Sequence, residues 1–221
     1  MDRIIREAKP IDITDIMQVM EAAKKIMRSS GNMYQWGDGY PTEAVIFSDM
    51  EKHGGYVIED AGRIVAYFAF IPSPEPTYSK IYNGEWLDDT LPYHVIHRIA
   101  SYPDVHGIFD SIMDFCFSHD ENIRIDTHKD NSIMQHNIKK YGFTYCGIIY
   151  LASGDERLTY QKLSPEPVLH QKRFMKHIAF SFILIALLFC SCGSNTTKSE
   201  ITAEMAYEGV NNYCIAHMTG A

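Results

Sequence analysis

Apolar residues recur along the first 163 positions with two different periods, and the switches between them lay out an order of elements. Residues 3–8 alternate with a period of two, the pattern of a strand with one buried face. Behind Asp12 and Thr14, either of which suits a helix cap, Ile13, Ile16, Met17, Met20, Ala23 and Met27 fall at helical spacing. That spacing predicts a helix to Arg28. Residues 42–53 read as a second helix. Residues 55–60 and 63–71 read as strands joined by Asp60-Ala61-Gly62, a tight-turn signal. After a long loop carrying four prolines come a strand (93–100), a helix (107–119), a strand (123–127), a helix (132–141) behind Asn131, and two strands (145–150 and 158–162).

The order is therefore βααβββ, then αβαββ. Mixed elements around a central strand-loop-helix unit imply a layered α/β sandwich. In such sheets ligands lie where a strand end meets a helix N-terminus. The unit that fits is the strand Tyr93-His94-Val95-Ile96-His97-Arg98-Ile99-Ala100, the loop 101–106 and the helix opening at Gly107. A helix start offers unpaired N–H groups and a partial positive charge, which together bind phosphate oxygens. Glycine there lets the backbone approach closely.

The character of the chain changes after Leu163. Residues 164–177 form a linker, with Ser164-Pro165-Glu166-Pro167 breaking any helix and Lys172, Arg173 and Lys176 forming a basic cluster. Residues 178–189 are apolar except Ser181, and Cys190-Ser191-Cys192 follows; residues 193–221 are polar and too short to build a core. From Met175 onward this resembles a bacterial lipoprotein signal peptide, with Cys192 the residue such a signal would lipidate. The run is shorter than the roughly 20 residues of a comfortable membrane span. Signal peptides start chains, so the simplest account is two adjacent reading frames joined. An apolar helix packed on the first domain and a membrane tether through 178–192 are the alternatives.

Composition narrows the function. The chain has 221 residues, 46% hydrophobic and 22% charged, an ordinary globular balance. A formal net charge of −8 repels phosphate backbones, which argues against nucleic acid and mildly favours cationic amines. No pair among Cys116, Cys146, Cys190, Cys192 and Cys214 has zinc-finger or CxxC spacing, and no metal site is expected. Cys116 and Cys146 read as buried small hydrophobes in a reducing, cytoplasmic setting.

The strand-loop-helix around Gly107 resembles the GNAT N-acetyltransferase superfamily, whose corresponding unit holds the acyl-CoA pyrophosphate. The family wording is Gln or Arg, two residues, Gly, one residue, then Gly or Ala. This chain reads Asp104-Val105-His106-Gly107-Ile108-Phe109, matching only at Gly107. A second stretch is similar too: Asn131, a short helix, and Tyr141-Gly142-Phe143 turning into a strand. The resemblance covers residues 3–163. It implies a mostly antiparallel sheet with helices on both faces, and transfer of an acetyl group from acetyl-CoA to a primary amine of a small molecule or peptide. It also implies cofactor contacts at Ile99, Ala100, His106, Gly107, Ile108, Phe109 and Asn131, and leaves a homodimer open. Where many members carry the tyrosine that protonates the departing thiolate, this chain has Ile138.

Catalytic candidates follow from residue chemistry. Tyr141 is the nearest substitute acid, or else packs beside the Gly-Phe turn. His97, or Glu59, is available as a general base; alternatively His97 or Arg98 is a core residue paired with a carboxylate. Tyr34 and Trp36, in the loop after the first helix, are the substrate-side candidates, with Trp86 completing an aromatic wall and Glu85, Asp88 and Asp89 attracting a cation. For Trp36 alone, a buried loop anchor is the other reading. Asp104 and Ile138 leave room for a non-catalytic acyl-CoA-binding module, and the tail for a membrane-anchored lipoprotein.

Overall fold

The computed structural model describes residues 3–37 and 39–164. The linker beyond Ser164, the apolar run 178–192 and the polar tail lie outside the described residues. Among those described, no helix is long and apolar enough to cross a membrane.

The elements appear in the order the pattern predicts: β1 (Ile4–Glu7), α1 (Ile13–Ser29), α2 (Glu43–Glu51), β2 (Gly55–Asp60), β3 (Arg63–Pro72), β4 (His94–Ser101), α3 (Ile108–Phe117), β5 (Asn122–Thr127), α4 (Ser132–Lys140), β6 (Thr144–Tyr150) and β7 (Glu156–Leu163). Boundaries move where local chemistry stops an element. Thr42 caps α2 by accepting a hydrogen bond from the Val45 amide at 3.3 Å. The helix ends at Glu51, short of the predicted His53, because His53 turns left-handed (φ 53°). Asp12 does not cap α1 through its side chain; it accepts hydrogen bonds from Arg6 and from the Lys9 amide instead.

The seven strands form one sheet in the order β1-β2-β3-β4-β5-β7-β6. Every neighbouring pair is antiparallel except β4 with β5. Helices cover both faces. Ile16, Val19 and Met20 of α1 and Ile46 of α2 pack with Val57, Tyr67 and Ala69. On the other face Ile112, Met113 and Cys116 of α3 and Ile138 of α4 pack with Phe68, Ile96 and Ile125. Truncating one of these, Ile112 for example, to alanine costs about 2–5 kcal/mol. A third cluster, Tyr78, Trp86, Val95, Cys146 and Ile149, lies where the proline-rich loop between β3 and β4 folds back over the sheet. Cys116 and Cys146 are buried and free.

Two irregularities in β4 shape the molecule. The first is a bulge: Tyr67 faces Ala100 and Ala69 faces His97, so Phe68 alone spans Arg98 and Ile99. Arg98 takes up the extra residue with φ 54°. Ile96 and Ile99, three apart, consequently pack into the same cluster, while Ala100 joins the opposite one. The second is a parting of strands. β4 pairs with β5 only from His94 to Ile96, whereas β5 stays with β7 along its whole length. Beyond Ile96 the β5-facing edge of β4 opens.

Candidate active site

The opening between β4 and β5 is the floor of a cleft of about 1110 Å³, slightly larger than the roughly 300–1,000 Å³ usual for small-molecule sites. One end is built by Ile99, Ala100 and the loop that runs through His106 to the start of α3. The other is built by Tyr34, Trp36, Glu75, His97, Asp126 and Arg157.

At the first end, Gly107 occupies the N-cap of α3 in the left-handed conformation (φ 74°, ψ 11°) with no side-chain cap. The first helical bond runs from the Ser111 amide to the Gly107 carbonyl at 3.1 Å. The amides of Ile108, Phe109 and Asp110 therefore have no partner within the helix. Arg3, just ahead of β1, holds the approach, donating to the His106 carbonyl at 2.7 Å. Ile99, Ala100, His106, Gly107, Ile108, Phe109 and Asn131 all line the cleft, joined by Lys140 of α4, which sequence reasoning did not single out. Asp104, the residue that departs most from the family wording, is 67% exposed and turned toward Arg63 at 3.9 Å, away from the helix start. Phe109, where the family has a small residue, lays its ring edge-on against Tyr141 at 6.3 Å. The anion-binding character of the helix start survives both departures, and the residues present fit the phosphates of a coenzyme A. Asp110 in the first turn of α3 is the one contrary charge.

Asn131 does two things at once. Its side-chain oxygen caps α4, accepting from the Met134 amide at 3.0 Å. Its amide nitrogen donates to Gln35 Oε1 at 2.7 Å, and Asn32 donates to the same oxygen at 2.8 Å. The Gln35 carbonyl accepts from Arg157 at 3.3 Å. The loop after α1 is thereby tied to α4 and β7.

At the second end, His97 stands between two carboxylates. Glu75 Oε2 is 3.8 Å from Nε2 and Asp126 Oδ1 is 3.7 Å from Nδ1. Tyr78 donates to Asp126 Oδ1 at 2.6 Å, and Arg157 Nε lies 3.8 Å from Oδ2. Proximity to the His97 ring, opposed by burial, holds the Glu75 carboxyl below its ordinary range. Burial, and then Asp126, push the Tyr78 hydroxyl well above the ordinary tyrosine value, so it remains a donor. Neighbouring Arg98 turns to Asp49, donating through Nε at 2.7 Å and Nη2 at 2.5 Å, and Tyr67 donates to the same carboxylate at 2.8 Å. Arg98 is thus paired with a carboxylate, and His97 is flanked by two; both residues line the cleft.

The remaining candidates are dispersed. Tyr141 does not line the cleft: its hydroxyl donates to Asp114 at 2.8 Å and its ring packs among Phe109, Phe117 and Phe143. Glu59 pairs with Arg6 on β1 at 2.8 Å, away from the cleft. Trp36 is buried and edge-on to Tyr40 at 6.3 Å, an anchor that also lines the cleft, while Tyr34 beside it is exposed. Trp86 forms no wall with them; it stacks on Tyr78 at 5.6 Å and against the Arg124 guanidinium at 4.0 Å. Asp89 pairs with that same arginine at 2.7 Å, and Asp88 accepts from the Thr90 and Leu91 amides, so neither serves the cleft as a cation lure.

A helix start with free amides set against a parted pair of parallel strands suits a phosphate-bearing ligand. Comparison with solved structures gives the family. The chain is similar to an acetyltransferase of the GNAT family from Streptococcus agalactiae at 33% identity and a TM-score of 0.68, covering 74% of this chain and 96% of that one. The fold is shared with a putative acetyltransferase from Staphylococcus aureus (23% identity, TM-score 0.54, 72% and 98% covered). It is shared likewise with a GNAT-family acetyltransferase from Listeria monocytogenes (21%, 0.55, 73% and 94%). No family model and no curated protein matches the sequence. The chain belongs to the GNAT family of N-acetyltransferases.

Proposed function

We propose that this protein transfers an acetyl group from acetyl-CoA to a primary amine of a small molecule or peptide by direct attack. The observation that carries this reading is one cleft holding both the open β4 edge with the α3 helix start and the carboxylate-flanked His97. Acetyl-CoA supplies the thioester and, on transfer, a thiolate leaving group of pKa near 8.5, acidic enough to depart without a dedicated acid.

The protein contributes position and charge. The free amides at Ile108 and Phe109, with Gly107, His106 and Lys140, would hold phosphate, and Asn131, whose side chain caps α4 and binds Gln35, would line the path of the pantetheine arm. The Ile99 amide, just past the point where β4 leaves β5, is the donor offered to a carbonyl oxygen, the kind of preorganised stabilisation that dominates acyl transfer. Tyr34 and Trp36 flank the acceptor. His97 Nε2 receives the proton that the acceptor ammonium must lose before it can attack.

Thermal melting of the full chain tests the donor. At about a hundredfold excess over Kd, acetyl-CoA should stabilise by about 2.7 kcal/mol, a rise of roughly 5–10 °C. No rise at millimolar acetyl-CoA would sink the reading. Thiol release with a panel of amines then tests turnover; binding without turnover of any amine would make the protein an acyl-CoA-binding module instead.

A further inference from the structure

The residues behind His97 form a chain that donor binding does not require. Tyr78 lies in the proline-rich loop, Asp126 on β5 just past the point where β4 departs, and His97 on β4 at that same point. Tyr78 is fully buried, stacked on Trp86 and edge-on to the His97 ring at 5.9 Å. Its hydroxyl binds the Asp126 oxygen that faces His97 Nδ1.

We infer that Asp126, held by Tyr78, is a positioning residue that keeps the Nδ1 proton on His97 and so leaves Nε2 bare toward the acceptor. This rests on the reading of His97 as the base. The Nδ1 to Oδ1 separation of 3.7 Å is longer than a hydrogen bond and is closed by a small turn of the ring, as happens when catalytic contacts tighten around substrate. On the opposite side Glu75 stands 3.8 Å from Nε2, a gap in which one ammonium nitrogen can donate to both groups. The ammonium passes one proton to Nε2 and becomes a free amine with its lone pair; His97 becomes an imidazolium between Glu75 and Asp126.

Every charged group facing the ring takes part in this account. Glu75 and Tyr78 approach from the loop and Asp126 from β5. Arg157 of β7 reaches the ring only through Asp126 Oδ2, and Arg98, next in the strand, is bound to Asp49. Tyr78 as a donor has one acceptor, and that acceptor is shared with the histidine. An inert core tyrosine would need no such alignment.

The test uses the full chain with acetyl-CoA and any amine it turns over. His97→Gln should lower kcat by about 10²–10⁴-fold. Asp126→Asn, which presents a donor to Nδ1 and so forces the proton onto Nε2, should lower kcat by at least about a hundredfold. The KM for acetyl-CoA should stay within about threefold. Adding Asp126→Asn to His97→Gln should cost nothing further, because both remove one function. Tyr78→Phe should lower kcat by about tenfold with the same KM, and decides the matter if the Asp126 variant fails to fold. Ring nitrogen NMR of His97, assigned by its loss in His97→Gln, should show the Nδ1–H form in the wild type and the Nε2–H form in Asp126→Asn. If His97→Gln is crippled while Asp126→Asn and Tyr78→Phe work within about threefold of wild type, the positioning role is overturned and the base stands. If His97→Gln itself works within threefold, the base reading falls and takes this inference with it. Full multiplicative loss in the double variant would also overturn it, since Asp126 would then act independently of His97.

Discussion

Gly107 allows strain and charge to be separated at the α3 end of the cleft. Its backbone sits at φ 74°, yet a Cβ built there would come no closer than 3.8 Å to any neighbour, the Arg3 guanidinium. Gly107→Ala therefore carries only the left-handed penalty of about 1–2 kcal/mol, a fall in Tm of roughly 2–8 °C. Gly107→Glu carries the same penalty, eased by about 0.3–1 kcal/mol because a carboxylate at a helix start is favourable. Toward a phosphate about 5 Å away, at an effective dielectric of about 20, that carboxylate costs about 3 kcal/mol, or some hundredfold in Kd. Calorimetric titration of CoA into the wild type and both variants reads this directly. The alanine variant should bind within about fivefold of wild type and the glutamate variant about a hundredfold or more weaker, the gap narrowing at about 0.5 M salt. A folded glutamate variant that binds CoA within threefold of the alanine variant would falsify the placement of phosphate at α3.

Tyr141→Phe removes one hydrogen bond to Asp114 outside the cleft, so it should cost about 0.5–1.5 kcal/mol of stability and lower kcat by less than about tenfold; a loss of a hundredfold at unchanged Tm would make Tyr141 the acid after all. The Asp12 carboxyl is held below its ordinary 3.8, first by the hydrogen bonds from Arg6 and also by the Lys9 amide, against burial. Its folded pKa lies below the unfolded one, so its contribution is complete above that ordinary value and is lost as pH falls through the folded pKa. The urea midpoint should decline from pH 6 to pH 3 more steeply in the wild type than in Asp12→Asn, and equal slopes would contradict this.

What could be read from the chain was whatever local chemistry dictates. The Asp60-Ala61-Gly62 turn forecasts the β2–β3 hairpin because Ala61 and Gly62 both take positive φ there, as such hairpins require. Gly107 and Asn131 were legible for a similar reason: a left-handed N-cap favours glycine, and a helix cap favours a short polar side chain. His97 was legible only as a type of residue on the right strand. Glu75 and Gln35, which line the cleft, and Tyr78, buried behind His97, were not, since they lie in segments without periodicity and come to the site only through tertiary return of the chain. The same return misled the aromatic-wall expectation, because Trp86 shares composition with Trp36 but is drawn under the sheet by Tyr78 and Arg124. Asp126 sits two positions past Arg124 in a strand, a spacing that by itself marks only one face.

The bulge at Arg98 divides β4 into two stretches that obey opposite inside–outside assignments. Upstream, His97 answers to the proline-rich loop; downstream, Ile99 and Ala100 answer to the open edge. Residues 73–97 can accordingly be exchanged as a block between relatives, provided Arg98 and its Asp49 partner keep the offset. Deleting the extra residue would leave Ile96 and Ile99 two apart on one face of a regular strand, so the isoleucine would keep its cluster while the offset that Arg98 supplies disappeared.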